Sequence, residues 1–174
     1  MSSLFTDPPV LGLAAWSGTG KTTLLVQLLP RLRAAGLRIG MIKHAHHSFD
    51  VDIPGKDSYE LRKAGAEQML VASQRRWALM RELDPPREPV LTELLARLDR
   101  EKLDLILVEG FRAASFAKIE LHRPSMGKPA LHLQDDSIIA VASDAPLSTA
   151  LPILDLNRPD EIAAFVLAWS RQIP

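Results

Sequence analysis

The chain has 174 residues, of which 47% are hydrophobic and 24% charged, with 21 basic side chains set against 21 acidic ones. This length and balance suit one domain spanning 1–174 and exclude a whole-surface electrostatic attraction to nucleic acid or to a membrane. The sequence holds no cysteine, so it has neither a disulfide framework nor a thiolate metal site, which suits the reducing cytoplasm.

The N-terminal run MSSLFTDPPVLGLAAWSG has no basic segment before its first apolar stretch and does not read as a secretory leader. No apolar run approaches the ~20 residues of a membrane span. A buried strand is expected at 10–15, running into a glycine-rich turn. Leu24, Leu25, Leu28, Leu29 and Leu32 then recur at helical spacing, so a helix is expected over 21–35, with Pro30 tightening its last turn and Gly36 ending it. RIGMIK (38–43) is the second strand. The polar stretch 44–57 that follows is longer than a simple connection, and loops of that kind carry function or disorder.

Ser58 is placed to cap a short helix through Ala64, with Gly65 at its end. Residues 69–72 and 77–80 read as a hairpin around SQRR, and DPPREP (84–89) as a turn. A helix over 90–98 and a buried strand over 103–108 come next. The alternating stretch 117–122 reads as a strand near an edge of the sheet, and 138–142 and 153–156 as later strands. A last helix, capped near Asn157, carries Ile162, Phe165, Val166 and Trp169. Strands alternating with helices predict an α/β fold, a three-layer sandwich with a mostly parallel central sheet.

Chemistry concentrates in AWSGTGKTT (15–23), a GxGKT loop between an expected strand and an expected helix. Backbone N–H groups of Ser17, Gly18, Thr19 and Gly20 can turn inward around a polyphosphate at the positive end of the helix. Lys21 reaches the β/γ-phosphates, the Thr22 hydroxyl takes Mg²⁺, and Thr23 is available for a phosphate contact. Ala15 stands where the full Walker pattern has glycine. Glu109 ends the strand DLILVEG, on the ligand side of a parallel sheet, where it holds the hydration shell of Mg²⁺ or orders a water; Asp104 lies at the opposite end and is structural.

The loop 43–57 brings Lys43, His44, His46, His47, Asp50, Asp52, Lys56 and Asp57. Asp52 is placed to accept Mg²⁺-bound water, and Lys43 or Lys56 to meet phosphate. The histidines invite a transition metal, although their spacing is not a metal signature. Ser143, Asp144 and Asp155 close late strands, where carboxylates accept the N1/N2 donor pair of guanine; no NKxD motif is present. Trp16 lies inside the loop, to pack or to stack on a base. No built-in arginine finger is evident, which fits a sluggish enzyme, although Arg62 and Arg112 stay open for that role; Arg62 faces either the cleft or solvent.

AWSGTGKTTL (15–24), IKHAHHSFDVDIPGKDSYELRKAGA (42–66), VASQRRWALM (71–80), LDLILVEGF (103–111), AKIEL (117–121) and IAVASD (139–144) together resemble the molybdopterin-guanine dinucleotide biosynthesis adaptor proteins. The resemblance runs over about residues 10–170. It implies a P-loop NTPase fold and a GTP-binding, Mg²⁺-dependent, weakly GTPase-active homodimer. Such a protein assists attachment of GMP to molybdopterin beside a separate guanylyltransferase, with the molybdenum-insertion enzyme as a further partner. On this chain it implies a phosphate cradle at 18–23, Lys21, Asp52 and Glu109 as catalytic residues, and Thr22, Asp52 and Glu109 around the metal. It places Ser143, Asp144 and Asp155 on the guanine side. The stretches 84–89 and 123–136 are less like the family, so the surface they form is unassigned. The competing expectation is a P-loop small-molecule kinase, which predicts phosphate transfer to an acceptor hydroxyl and adenine selectivity.

Overall fold

A computed structural model describes residues 3–45 and 49–173. The chain divides into two compact units, Met1–His44 with Val90–Pro174, and Ala45–Pro89.

The first unit is built on six strands: β1 (Val10–Ala14), β2 (Ile39–Lys43), β5 (Leu105–Glu109), β6 (Lys118–His122), β7 (Ile138–Ser143) and β8 (Ile153–Asp155). They lie in the order β2-β5-β1-β6-β7-β8, and every neighbouring pair is parallel. Such a sheet is covered on both faces, which is why β1 reads VLGLA, buried at all five positions. On one face α1 (Lys21–Ala34) and α4 (Pro159–Ser170) pack Leu24, Leu25, Leu28, Leu32, Ile162 and Val166 against Leu11, Leu13, Leu107, Ile119 and Leu121. On the other, α3 (Leu91–Leu95) sets Leu91 and Leu95 against Val10, Ile106, Val108 and Phe116.

From β1 the chain first goes to the β2/β5 side and only later returns to the β6 side. The carboxyl end of β1 is therefore a topological switch point, where open parallel sheets leave a crevice for ligands. Pro30 does not interrupt α1, which runs on to Ala34. Pro159 occupies the first turn of α4, so that helix starts beyond Asn157.

One expectation is overturned. The stretch 117–122 is not near an edge: β6 lies between β1 and β7 and is buried throughout. Its alternation comes from Lys118, Glu120 and His122, which are buried with partners rather than exposed to water. Lys118 Nζ donates to Asp135 (3.0 Å) and to Ser137 Oγ (2.6 Å). Glu120 accepts from the N–H groups of Leu131 (2.7 Å) and His132 (2.9 Å), and its carboxylate lies 2.6 Å from the His132 ring nitrogen Nδ1. No α-helix connects β6 to β7; instead the segment 123–137 is strapped to the sheet by these charged groups.

The second unit holds α2 (Asp57–Lys63) and an antiparallel hairpin of β3 (Gln68–Ala72) and β4 (Trp77–Arg81). Helix α2 starts one residue before the expected Ser58 cap, and Lys56 at its N-cap makes no side-chain bond. Across the hairpin Leu70 pairs with Leu79 and Ala72 with Trp77, and all four side chains are exposed. Among the described residues no helix is long and apolar enough to cross a membrane.

Candidate functional site

The loop after β1 takes its shape from backbone freedom. Gly18 (φ 82°) and Gly20 (φ 103°) sit in the left-handed region that side chains rarely adopt. Thr19 is buried and directs its Oγ1 to the Trp16 carbonyl at 2.8 Å, closing the loop on itself. Lys21 opens α1 and folds back, so that Nζ donates to the Ala15 (3.2 Å) and Trp16 (3.4 Å) carbonyls. Ser17, Gly18, Thr22 and Thr23 are exposed around it. Burial pushes the Lys21 ammonium below its usual range. Glu109 opposes that shift, whereas Arg112 and Lys43 add to it. Lys21 thus feels two further cations and one carboxylate at this edge, an arrangement that favours a polyanion.

Glu109 closes β5, directly beside β1, with its side chain 12% exposed and 3.5 Å from Lys43 Nζ. The chain then turns sharply through Gly110 (φ 98°) and Phe111 (φ 53°). A Cβ at Gly110 would stand 2.6 Å from that of His44, so glycine is required there twice over. The Phe111 ring stacks on His44, centroids 4.8 Å apart. Beyond it the Arg112 guanidinium lies over the Trp16 ring, 4.6 Å from its centroid.

The start of the 123–137 segment flanks the glycine-rich loop. Arg123 donates through Nε to the Thr19 carbonyl (3.0 Å) and through Nη1 to Asp144 (2.5 Å). Trp16 donates through Nε1 to the Pro129 carbonyl at 2.9 Å. Arg123 also lines a cleft of ≈ 160 Å³ with Gly20, Thr23, Gln27, Leu156 and Asn157. The expected base-side residues stand around this cleft rather than in its lining. Ser143 Oγ donates to the Ala145 carbonyl, Asp144 is paired with Arg123, and Asp155 accepts from the Asn157 N–H. Arg123 was not singled out from the sequence, and Asn157 only as the cap of the last helix. The available signal was an arginine and a carboxylate each just past the end of neighbouring parallel strands.

In the second unit Arg62 is buried at the centre of three carboxylates: Asp50 (2.5 Å), Asp52 (2.6 Å) and Glu82 (2.6 Å). That settles its position, which the sequence left open between a cleft and a solvated face. Hydrogen bonding to Arg62 holds the Asp52 carboxyl below its usual range. Asp50 and Asp52 turn toward Arg62 while Phe49, Val51 and Ile53 between and beside them are 72%, 62% and 65% exposed. His46 and His47 lie outside the described residues, and no cluster of three or more metal-ligating side chains occurs among those described. Asp104, at the far end of β5, is bound by Arg38, which holds its carboxyl at about 2.

Residues 10–144 match the family described as molybdopterin guanine dinucleotide synthesis protein B. The chain belongs to this family. The matched span takes in the glycine-rich loop, the whole second unit, the Glu109 turn and Asp144. Its similarity to other members is high. It is 55% identical to the molybdopterin-guanine dinucleotide biosynthesis adapter protein of Escherichia coli, over 94% of each chain. With the adapter protein of Haemophilus influenzae the identity is 44%, over 92% of this chain and 89% of the relative. A crystal structure of molybdopterin-guanine biosynthesis protein B superposes with a TM-score of 0.75 at 26% identity, covering 94% of this chain and 99% of that one. Its fold is the P-loop NTPase α/β type shared with these synthesis protein B structures.

Proposed function

We propose that the protein is a GTP-binding adapter that assists the guanylylation of molybdopterin, with weak Mg²⁺-dependent GTPase activity of its own. The observation that carries this reading is Lys21, folded onto the carbonyls of its own loop and crowded by Lys43 and Arg112. A triphosphate would replace those carbonyls and neutralise the crowded charge. Ser17–Thr23 would supply the cradle. The metal-side donors fit Mg²⁺, since Thr22 is an exposed hydroxyl at the helix start and Glu109 a carboxylate at the adjoining strand end, both hard oxygen ligands. Mg²⁺ would there screen the phosphate charges. The roles of Asp52 at the metal and in catalysis rest on the resemblance alone, because Asp52 is engaged by Arg62.

The cleft beside Gly20 and Thr23 supports a base site on the Arg123/Asn157 side, with Ser143, Asp144 and Asp155 shaping it from behind. The adapter role, and with it a guanylyltransferase and the molybdenum-insertion enzyme as partners in the cytoplasm, follows the names of the relatives and the resemblance. Homodimer formation is supported by the hairpin face on which Leu70 (59%), Leu79 (52%) and Trp77 (68%) stand exposed.

The test is to titrate nucleotide-free protein with GTP and ATP plus Mg²⁺, beside Lys21→Ala, with and without molybdopterin and the guanylyltransferase. A GTP preference abolished in the variant and strengthened by the partner is expected. ATP preference with no partner effect would sink the adapter reading.

A further inference from the structure

Arg62, Arg112 and Arg123 differ in how they are held. Arg62 is locked among three carboxylates and Arg123 is tied to Asp144 and Thr19. Arg112 is exposed, and among the described residues it pairs with no carboxylate; its contact is the face of Trp16, inside the glycine-rich loop. A guanidinium that is itself exposed and rests on a ring face is held weakly and can be exchanged for a better partner.

The backbone that presents Arg112 is unusual. A bulky aromatic residue, Phe111, sits at φ 53°, directly after Gly110 at φ 98° and next to the strand-end Glu109. Left-handed backbone at such a residue persists only where the surroundings impose it, and such positions gather at functional sites. Here the surroundings are His44, which stacks on Phe111 and leaves no room for a side chain at Gly110. The turn delivers Arg112 to the same edge as Lys21, and its charge is felt at the Lys21 ammonium.

We propose that Arg112 is the chain's own phosphate-side arginine, parked on Trp16 and leaving it to contact the triphosphate as the γ-phosphoryl group is transferred to water. This rests on the nucleotide reading above. In the step, a water oxygen bonds to the γ-phosphorus and the bond to the β,γ-bridging oxygen breaks. The electron pair stays on the β-phosphate, giving GDP, inorganic phosphate and one released proton. Arg112 takes no proton; its N–H donors stabilise charge gathering on the bridging and γ-oxygens. A residue acting this way is needed in the transition state and much less in the ground state.

Wild-type protein, Arg112→Ala and Arg112→Lys are compared for GTP affinity, single-turnover phosphate release, and affinity for GDP with aluminium fluoride, which mimics the transferring group. R112A should bind GTP within about threefold of wild type, release phosphate roughly 100-fold more slowly or worse, and lose the tightening of GDP by aluminium fluoride. R112K should recover less than about a tenth of the lost rate, because an ammonium lacks the planar fork. Normal GTP binding and an unchanged rate in R112A would overturn the role of Arg112 and leave the nucleotide reading intact. Equal losses in GTP affinity and rate would overturn it too, marking a ground-state ligand. A wild-type protein that takes no GTP would overturn the nucleotide reading and this role with it.

Discussion

Glu120 offers the sharpest test of how the glycine-rich loop is braced. Its carboxylate is fully buried and receives the Leu131 and His132 backbone N–H groups, with the His132 ring also at bonding distance. Substitution by Gln keeps the volume but turns one acceptor into a donor facing donors. With three contacts to a charged acceptor weakened or lost, at about 1.5 kcal/mol each, the expected destabilisation is about 4 kcal/mol. For a chain of this size that lowers the melting temperature by roughly 10 °C. The effect should extend beyond stability, because the strapped segment also carries Arg123, bonded to Thr19, and Pro129, bonded to Trp16. Loosening it should weaken GTP binding at temperatures where E120Q is still folded. Calorimetry with urea denaturation, followed by nucleotide titration well below the melting point, measures both. An E120Q protein melting within about 2 °C of wild type would refute the reasoning, since a buried acceptor with three donors cannot be lost at so small a cost.

Three further outcomes are expected. The lowered affinity of Lys21 for its proton in the free protein should be restored upward by bound phosphates, so GTP affinity should fall as pH rises through the free-state value, with proton uptake on binding growing over that same range; calorimetric titration in buffers of different ionisation heat checks this. Asp104 is held at about 2, below its unfolded value, so the stability it contributes is fully present above the unfolded value and is lost as pH falls through about 2; D104N should remove that acid-limb dependence in urea melts. Arg62→Met leaves Asp50, Asp52 and Glu82 facing one another, and limited proteolysis should cut within 45–89 at least about tenfold faster, with cleavage elsewhere little changed.

How much could be read from the sequence follows from how local each signal is. The loop at 15–23, the β1 and β5 strands and the α1 pattern depend on neighbours within a few residues, and each lies within a residue or two of its expected place. The position of β6 depends on partners farther along the chain. Lys118 is neutralised by Asp135 and Glu120 by residues 131 and 132, so polar alternation that suggested an edge belongs to an interior strand. The same reason hid Arg123, whose partners Thr19 and Asp144 lie on either side of it by 104 and 21 residues. Arg62 was legible as a residue of interest, but its capture by Asp50, Asp52 and Glu82 was not, because charge placement in a loop says nothing of which carboxylates turn inward.

In the second unit one charged side chain, Arg62, is buried among acids while Phe49, Val51, Ile53, Leu70 and Trp77 face solvent. Heat capacity of unfolding comes from apolar surface newly wetted, and here much of that surface is wet already. This unit should therefore add less than the ordinary ~12–15 cal/mol/K per residue to the heat-capacity step of the whole chain. Its stability curve should be flat in temperature. Anything that covers its apolar side chains would reverse that balance, raising the heat-capacity step and making the unit's melting sharp.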